Sequence, residues 1–318
     1  MVSKSHRRAA LLAVTRRLFE GVATAWAAVT IAFFTLRLAS GDPVASLLSQ
    51  GLATPEQAEE IRISLGLDTP LWLQYLEFLT NLLPGDLGSS LYTHRPVSQV
   101  ILEQFQSTAT LAVCGLIIAI LIGFTLGITA AWFGKHLSGR LAAAIAALAT
   151  SIPVAFAGIL SLLVVGNILQ KFGGTSNDLF VKLLLPATVL GFASSGPIAR
   201  VIDSGLSESL RSPFILAARA RGIRQGLRLL WHALKPSLPP AISLIALEAA
   251  FLFTGTVVTE TVFSRPGLGR LLVKSVLDGD FPISLGLIAL AAIFYTISHV
   301  IADLLTLIFD PRLRRVDG

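Results

Sequence analysis

The sequence predicts an all-α polytopic membrane protein. Three observations carry this reading: the composition, the length of the apolar runs, and the placement of the basic residues. Of 318 residues, 53% are hydrophobic and 14% charged, with a mean hydropathy of +0.74; soluble domains carry about 25% charged residues. A chain this apolar collapses rather than staying disordered. Its single cysteine, Cys114, closes no internal bridge, which excludes a small disulfide scaffold.

A spanning helix needs about 20 mostly apolar residues. Six segments approach that length, at about 18–39, 108–132, 141–169, 184–200, 241–263 and 283–309. Each must be helical, because lipid offers no partner to open backbone groups. The apolar stretch of the first exceeds the roughly 7–15 residues of a cleavable signal, so it reads as a retained anchor. Ser151-Ile152-Pro153 should bend the third helix, and the fourth, short one is bounded by Pro186 and Pro197. The chain divides into a tail and first helix (1–39), an outer loop (40–107), a membrane core (108–309) with a long connection at about 200–240, and a tail (310–318).

Basic residues set the orientation. Seventeen of the 25 Lys and Arg fall in the N-terminal tail, the 133–140 turn, the 200–240 connection and the C-terminal tail. Seven fall on the other side, and Arg37 sits at a helix end where it can snorkel. The positive-inside bias places both termini and the 200–240 connection in the cytoplasm. The net charge of +6 and pI near 9.9 reflect these helix flanks. With no zinc-finger spacing or aromatic-basic RNA motif, the expected partner is membrane lipid and not nucleic acid.

Two connections are too long for plain turns. In the outer one, Pro55 suits a first helical turn and Glu56, Glu59 and Glu60 follow it. Leu71, Tyr75, Phe78, Leu79 and Leu82 then repeat at helical spacing, with Trp72 and Tyr75 suited to a membrane interface. This predicts a small helical cap, acting either as a lid or as a contact surface. In the 200–240 connection, Pro213 can start a helix, Ala217, Ala218 and Ala220 favour one, and Gly222 or Gly226 can end it. The result is a short amphipathic helix over about 213–224, small on one side and basic on the other, which docks either on another protein or on lipid.

Within the spans, Glu248, Leu252, Gly255 and Thr259 share one helix face. A mid-span carboxylate costs about 2.5–3.5 kcal/mol on insertion scales, so Glu248 either lines a wet pore or bonds to a neighbouring helix. Glu260, near the outer end, reads as a structural hydrogen-bonding group. Tyr295, His299, Asp303 and Thr306 share a face of the last span; two ligands are too few for a metal site, which leaves helix packing. Cys114 reads as a small core residue. The chain has no Gly-x-x-x-x-Gly-Lys-Ser/Thr loop to cradle nucleotide phosphates, no His-Glu-x-x-His and no Gly-x-Ser-x-Gly, so no catalytic, metal or cofactor-binding residue is assigned.

The stretch Ala217-Ala218 to Gly222, followed by His232-Ala233-Leu234 and Leu238-Pro239-Pro240, resembles the EAA loop of ABC importer permeases. The resemblance is to the dipeptide/oligopeptide/nickel permeases, in the subunit with a long first outer loop. Further matching segments run in order: Gly41-Asp42-Pro43, Leu65-Gly66-Leu67-Asp68, Gly85-Asp86-Leu87-Gly88-Ser89-Ser90, Arg95-Pro96-Val97, Leu185-Pro186-Ala187-Thr188 and Ala199-Arg200. They continue with Glu260-Thr261-Val262-Phe263-Ser264-Arg265-Pro266-Gly267-Leu268-Gly269, Ala302-Asp303-Leu304-Leu305 and Asp310-Pro311-Arg312. The chain departs from the pattern at Leu216, Asp203 and Pro213, where Glu, Arg and Asp are usual, and Ala155-Phe156 lacks a Trp.

The resemblance implies a type I ABC importer permease fold. It also implies ATP-driven movement of peptides, nickel or a related small solute into the cytoplasm across a bacterial or archaeal inner membrane. The implied partners are a second homologous permease, two ABC ATPase subunits and an extracytoplasmic solute-binding protein. ATP and Mg would be bound by the ATPases, leaving this chain without a cofactor or an enzymatic activity. By the same resemblance, Pro213, Phe214, Ala217, Ala218, Arg219, Ala220, Arg221 and Gly222 form the ATPase-coupling loop, while Asp42, Pro43, Glu260, Pro266, Gly267 and Asp303 are structural. Glu248, Gly255 and Thr259 are the candidate translocation pathway. The rival reading is a self-sufficient ion-coupled secondary transporter; the absence of an inverted repeat and the scarcity of membrane carboxylates count against it.

Overall fold

The computed structural model describes residues 4–39, 44, 48, 51, 54–64, 66–171 and 180–309. Over these residues the chain is built of helices: α1 (Lys4–Ala39), α2 (Pro55–Ser64), α3 (Leu71–Leu82), α4 (Val97–Trp132), α5 (Leu137–Ser151), α6 (Val154–Lys171), α7 (Leu185–Leu210), α8 (Pro213–Ala220), α9 (Leu234–Val262), α10 (Leu268–Asp278) and α11 (Phe281–Phe309). A π-helical turn precedes each of α7 and α9, at Phe180–Leu184 and Arg228–Ala233. Five helices are long and apolar enough to cross a membrane, and α5 with α6 would supply a sixth span as a pair.

The third span is not one bent helix. α5 and α6 meet at 105°, because the ring of Pro153 keeps Ile152 out of the helical region and Ile152 is extended at φ −83°, ψ 121°. Pro197 does not bound the fourth span; α7 runs through it to Leu210. That places Arg200 inside a membrane helix, and the connection expected at 200–240 shrinks to a helical hairpin of about 211–224. α4 begins at Val97, so the boundary drawn at 107 falls within a helix.

The core is set by two parallel helices. Gly115, Ala119, Gly123 and Gly127 of α4 recur every fourth residue and face Ala187, Gly191, Ser195 and Ala199 of α7. A Cβ on Gly127 would lie 2.6 Å from the Ala199 carbonyl, and one on Gly191 2.6 Å from that of Gly115. Only small residues allow backbones this close, and close packing is what holds helices together when lipid is as apolar as the side chains. α9 runs antiparallel beside α7, with Leu252 buried against Leu111, Ala187 and Leu190. α11 packs on α9 through stacked Phe253 and Phe294, 4.1 Å apart, and on α1 through Phe33, Phe281 and Leu285.

The outer cap is helical, as expected. Thr54 and Gln57 form a reciprocal capping box at the start of α2 (2.9 and 3.3 Å). Trp72 of α3 is exposed, whereas Tyr75 is not free for an interface: its hydroxyl bonds Thr30 of α1 at 2.6 Å and its ring meets Phe33 and Phe34. The 84–96 loop is tied to the core by Asp280, which is buried and accepts hydrogen bonds from Ser90 Oγ (2.6 Å) and the Leu91 amide (3.3 Å).

Candidate functional site

At the end of the bundle between α7 and α9, α8 is a two-turn helix with Pro213 at its first turn. Its terminus follows from Gly222. With φ +75°, Gly222 donates to the Arg219 carbonyl (3.0 Å), and Ile223 donates to that of Ala218 (3.2 Å). This paired closure of a helix end uses a left-handed residue, for which glycine carries no Cβ penalty. The helix therefore stops at Ala220 and not near 224.

One face of α8 is a foot. Ile215 and Ala218 are buried, and Ile215 packs against Leu206 of α7 and Ala233 just before α9. The other face is open: Phe214 and Leu216 are 46% and 61% exposed, and Ala217, Arg219, Ala220, Arg221 and Gly222 are exposed as well. The uncovered surface is thus apolar at its start and cationic at its end, not small opposite basic as the sequence alone suggested. Such a surface suits a partner cleft with an apolar floor and an acidic rim.

At the opposite end of the bundle, Glu260 of α9 is fully buried. It accepts hydrogen bonds from Thr108 Oγ1 of α4 (2.6 Å) and from the amides of Gly269 (2.8 Å) and Arg270 (3.1 Å) in the first turn of α10. The Leu268 amide in turn donates to Thr108 Oγ1 at 2.8 Å. A carboxylate thus satisfies the orphan donors of a helix N-terminus, where the helix dipole also favours negative charge. Gly267 leaves the space for it, since a Cβ there would collide with the Glu260 carboxyl. Arg265 reaches the Ser107 carbonyl at 3.2 Å and also bonds that of Lys182, and Ser107 Oγ donates to the Pro266 carbonyl. This knot joins α4, α9, α10 and the turn before α7. Its partner Thr108 lies 152 residues from Glu260, and sequence spacing gives no signal for that.

The membrane face of α9 is a packing face in this chain. Glu248 is half-buried and accepts a hydrogen bond from Ser194 of α7. Leu252 and Thr259 are buried, so the face expected to border a pore points at α4 and α7. Gly255 lies within α9 and Asp303 within α11; Asp42 and Pro43 lie outside the described residues. In α11, Tyr295 and His299 make a ring contact at 4.3 Å.

Comparison with known proteins adds to this geometry. The family described as "Binding-protein-dependent transport system inner membrane component" matches residues 123–315, and its companion N-terminal family matches residues 11–112. The chain is 32% identical over 299 residues to a glutathione transport system permease protein of Pectobacterium atrosepticum, covering 94% of this chain and 97% of that one. It is 32% identical over 302 residues to a dipeptide transport system permease protein of Lactococcus lactis, covering 95% and 98%. A nickel import system permease protein of Staphylococcus aureus is 31% identical over 300 residues, covering 94% and 90%.

Proposed function

The chain belongs to the binding-protein-dependent transport system inner-membrane components and is a permease subunit of an ABC importer; from that premise we propose that it imports peptides, with α8 receiving the stroke of a separate ATPase. The observation that carries the coupling role is the two-faced α8, open on Phe214, Leu216, Arg219 and Arg221 and footed through Ile215 on α7 and α9. Each arginine presents a planar donor fork to an acidic rim. When two ATPase subunits close on ATP, the push on α8 passes through Ile215 and Leu206 into α7, and through Ala233 into α9. Tightly packed helices transmit this as rigid-body rotation rather than local strain.

The complex we propose has a second, homologous permease, two ATPase subunits binding ATP and Mg, and an extracytoplasmic solute-binding protein. It sits in a bacterial or archaeal inner membrane with both termini cytoplasmic, as the basic flanks favour. Relatives named for dipeptide and glutathione transport support a peptide substrate. The relative named for nickel import shows that a chain this similar also serves a metal ion.

Tagged purification from the native host in mild detergent tests the assembly. Two ATPase chains and a similar permease are expected to co-purify. A chain that purifies alone, under conditions that hold other complexes together, would point to ion-coupled transport, and Glu248→Gln would then be the first variant to assay.

A further inference from the structure

Arg200 stands within the membrane-spanning α7, ten residues before the cytoplasmic end of that helix at Leu210. Its guanidinium does not turn toward that end. Nη2 donates to Thr150 Oγ1 at 2.6 Å, and Thr150 lies thirteen residues along α5 (Leu137–Ser151), about 20 Å from its cytoplasmic start at 1.5 Å per residue. One residue later α5 ends, and α6 departs at 105°. Arg200, Thr150, Ser204 and Glu208 are all exposed, with Arg200, Ser204 and Glu208 spaced four apart on one face. Among the described residues Thr150 is the only hydrogen-bond partner of Arg200, which leaves most of its donors without a partner there.

Each of these features is costly against lipid. A charged side chain within a span carries a desolvation cost, and a broken helix exposes carbonyls that lipid cannot satisfy. The cation, the helix break and a polar stripe meet on a face that no helix among the described residues covers, an arrangement that suits a face bordering water. We propose that Arg200, steadied by Thr150 at the α5–α6 break, lines the inner half of the solute pathway and binds a carboxylate of the passing solute. This rests on the reading of the chain as a peptide importer. A guanidinium matches a carboxylate with two parallel bonds. A single such contact is strong enough to guide a solute and weak enough to release it.

The rival role for Arg200 is structural, holding the end of α5 through Thr150. The two separate in proteoliposomes of the full complex with its ATPases and binding protein, using dialanine as probe. Arg200→Gln is expected to lower dialanine uptake per ATP hydrolysed about tenfold or more, while Thr150→Val stays within about twofold, as for loss of a charge-assisted contact rather than a helix tie. Equal losses in the two variants, or normal uptake in Arg200→Gln, would overturn the proposal. If Arg200→Gln does not assemble, a charged thiosulfonate applied to Ser204→Cys decides, in a Cys114→Ala background with Ile145→Cys on the apolar face of α5 as reference. Labelling about tenfold faster at 204 supports a wet face, whereas equal rates refute it. A wild-type complex that takes up Ni²⁺ but no dialanine defeats the peptide reading itself, a result distinct from failure of the Arg200 variant.

Discussion

The two short helices at opposite ends of the bundle, α10 and α8, solve the same problem in opposite ways. Both follow a membrane helix and must begin with unpaired amides. α10 has them capped by a buried carboxylate reaching from α9, braced by Thr108 of α4. α8 has no side-chain cap at its start and keeps its arginines in solvent. The turn at α10 spends its polar groups on fixing the chain to itself. The one at α8 withholds them, standing on Ile215 and Ala218 alone. An open surface, apolar at its start and cationic at its end, on a small apolar foot suits meeting another molecule, whereas a sealed knot of hydrogen bonds holds the chain to itself.

That contrast makes graded predictions. Glu260→Leu strands a hydroxyl and two amides and is expected to cost about 3 kcal/mol or more, read as a fall in the denaturation midpoint in detergent. Glu260→Gln, which keeps an acceptor, should cost less. Gly267→Ala drives a Cβ into the Glu260 carboxyl and is expected to cost about 1–3 kcal/mol by the same measurement. A smaller effect depends on pH. Burial holds the Asp280 carboxyl above its ordinary value of 3.8, and Asp278 adds to the rise, against the bonds from Ser90, Leu91 and Ile283. The folded chain therefore holds that proton more tightly than the unfolded one. The stability this gives is present below about pH 4 and lost as pH rises through the folded value. Asp280→Asn should accordingly flatten the decline in thermal midpoint as pH rises above about 4; an unchanged slope would show that Asp280 does not set it. Smallest of all, Arg219→Ala should change stability by no more than about 0.5 kcal/mol while lowering transport, since among the described residues the side chain makes no hydrogen bond or ion pair.

Much of the fold was legible because membrane helices announce themselves by length and apolarity. The cap helix from Leu71 and the start at Pro213 followed from local chemistry that sequence displays, while the stop stayed open between Gly222 and Gly226. What escaped was non-local. Pro197 looks like a boundary in sequence, but α7 passes through it, and Arg200 consequently moved from a loop into the membrane. α10, amid Arg270 and Lys274, is too short and polar to read as more than an outer turn. The face of Glu248 and Thr259 has the periodicity of a pore lining, yet periodicity does not say which neighbour a polar face meets; here it meets Ser194 and the buried core. The Gly115 to Gly127 repeat drew no reading from the sequence alone. Its partner stripe from Ala187 to Ala199 gained meaning only when the two lay side by side.

The central claim is that α8 couples a separate ATPase to the membrane bundle, and Gly222→Trp tests it most directly. Among the described residues no atom lies within 4 Å of a Cβ at this position, so the change costs only about 1–2 kcal/mol for a left-handed non-glycine residue. Its larger effect must fall on whatever docks there. Measured in the same proteoliposomes, ATP hydrolysis should persist within about twofold while solute uptake falls about tenfold or more, a loss of about 1.4 kcal/mol in coupling. Uptake and hydrolysis both at wild-type levels would contradict the account.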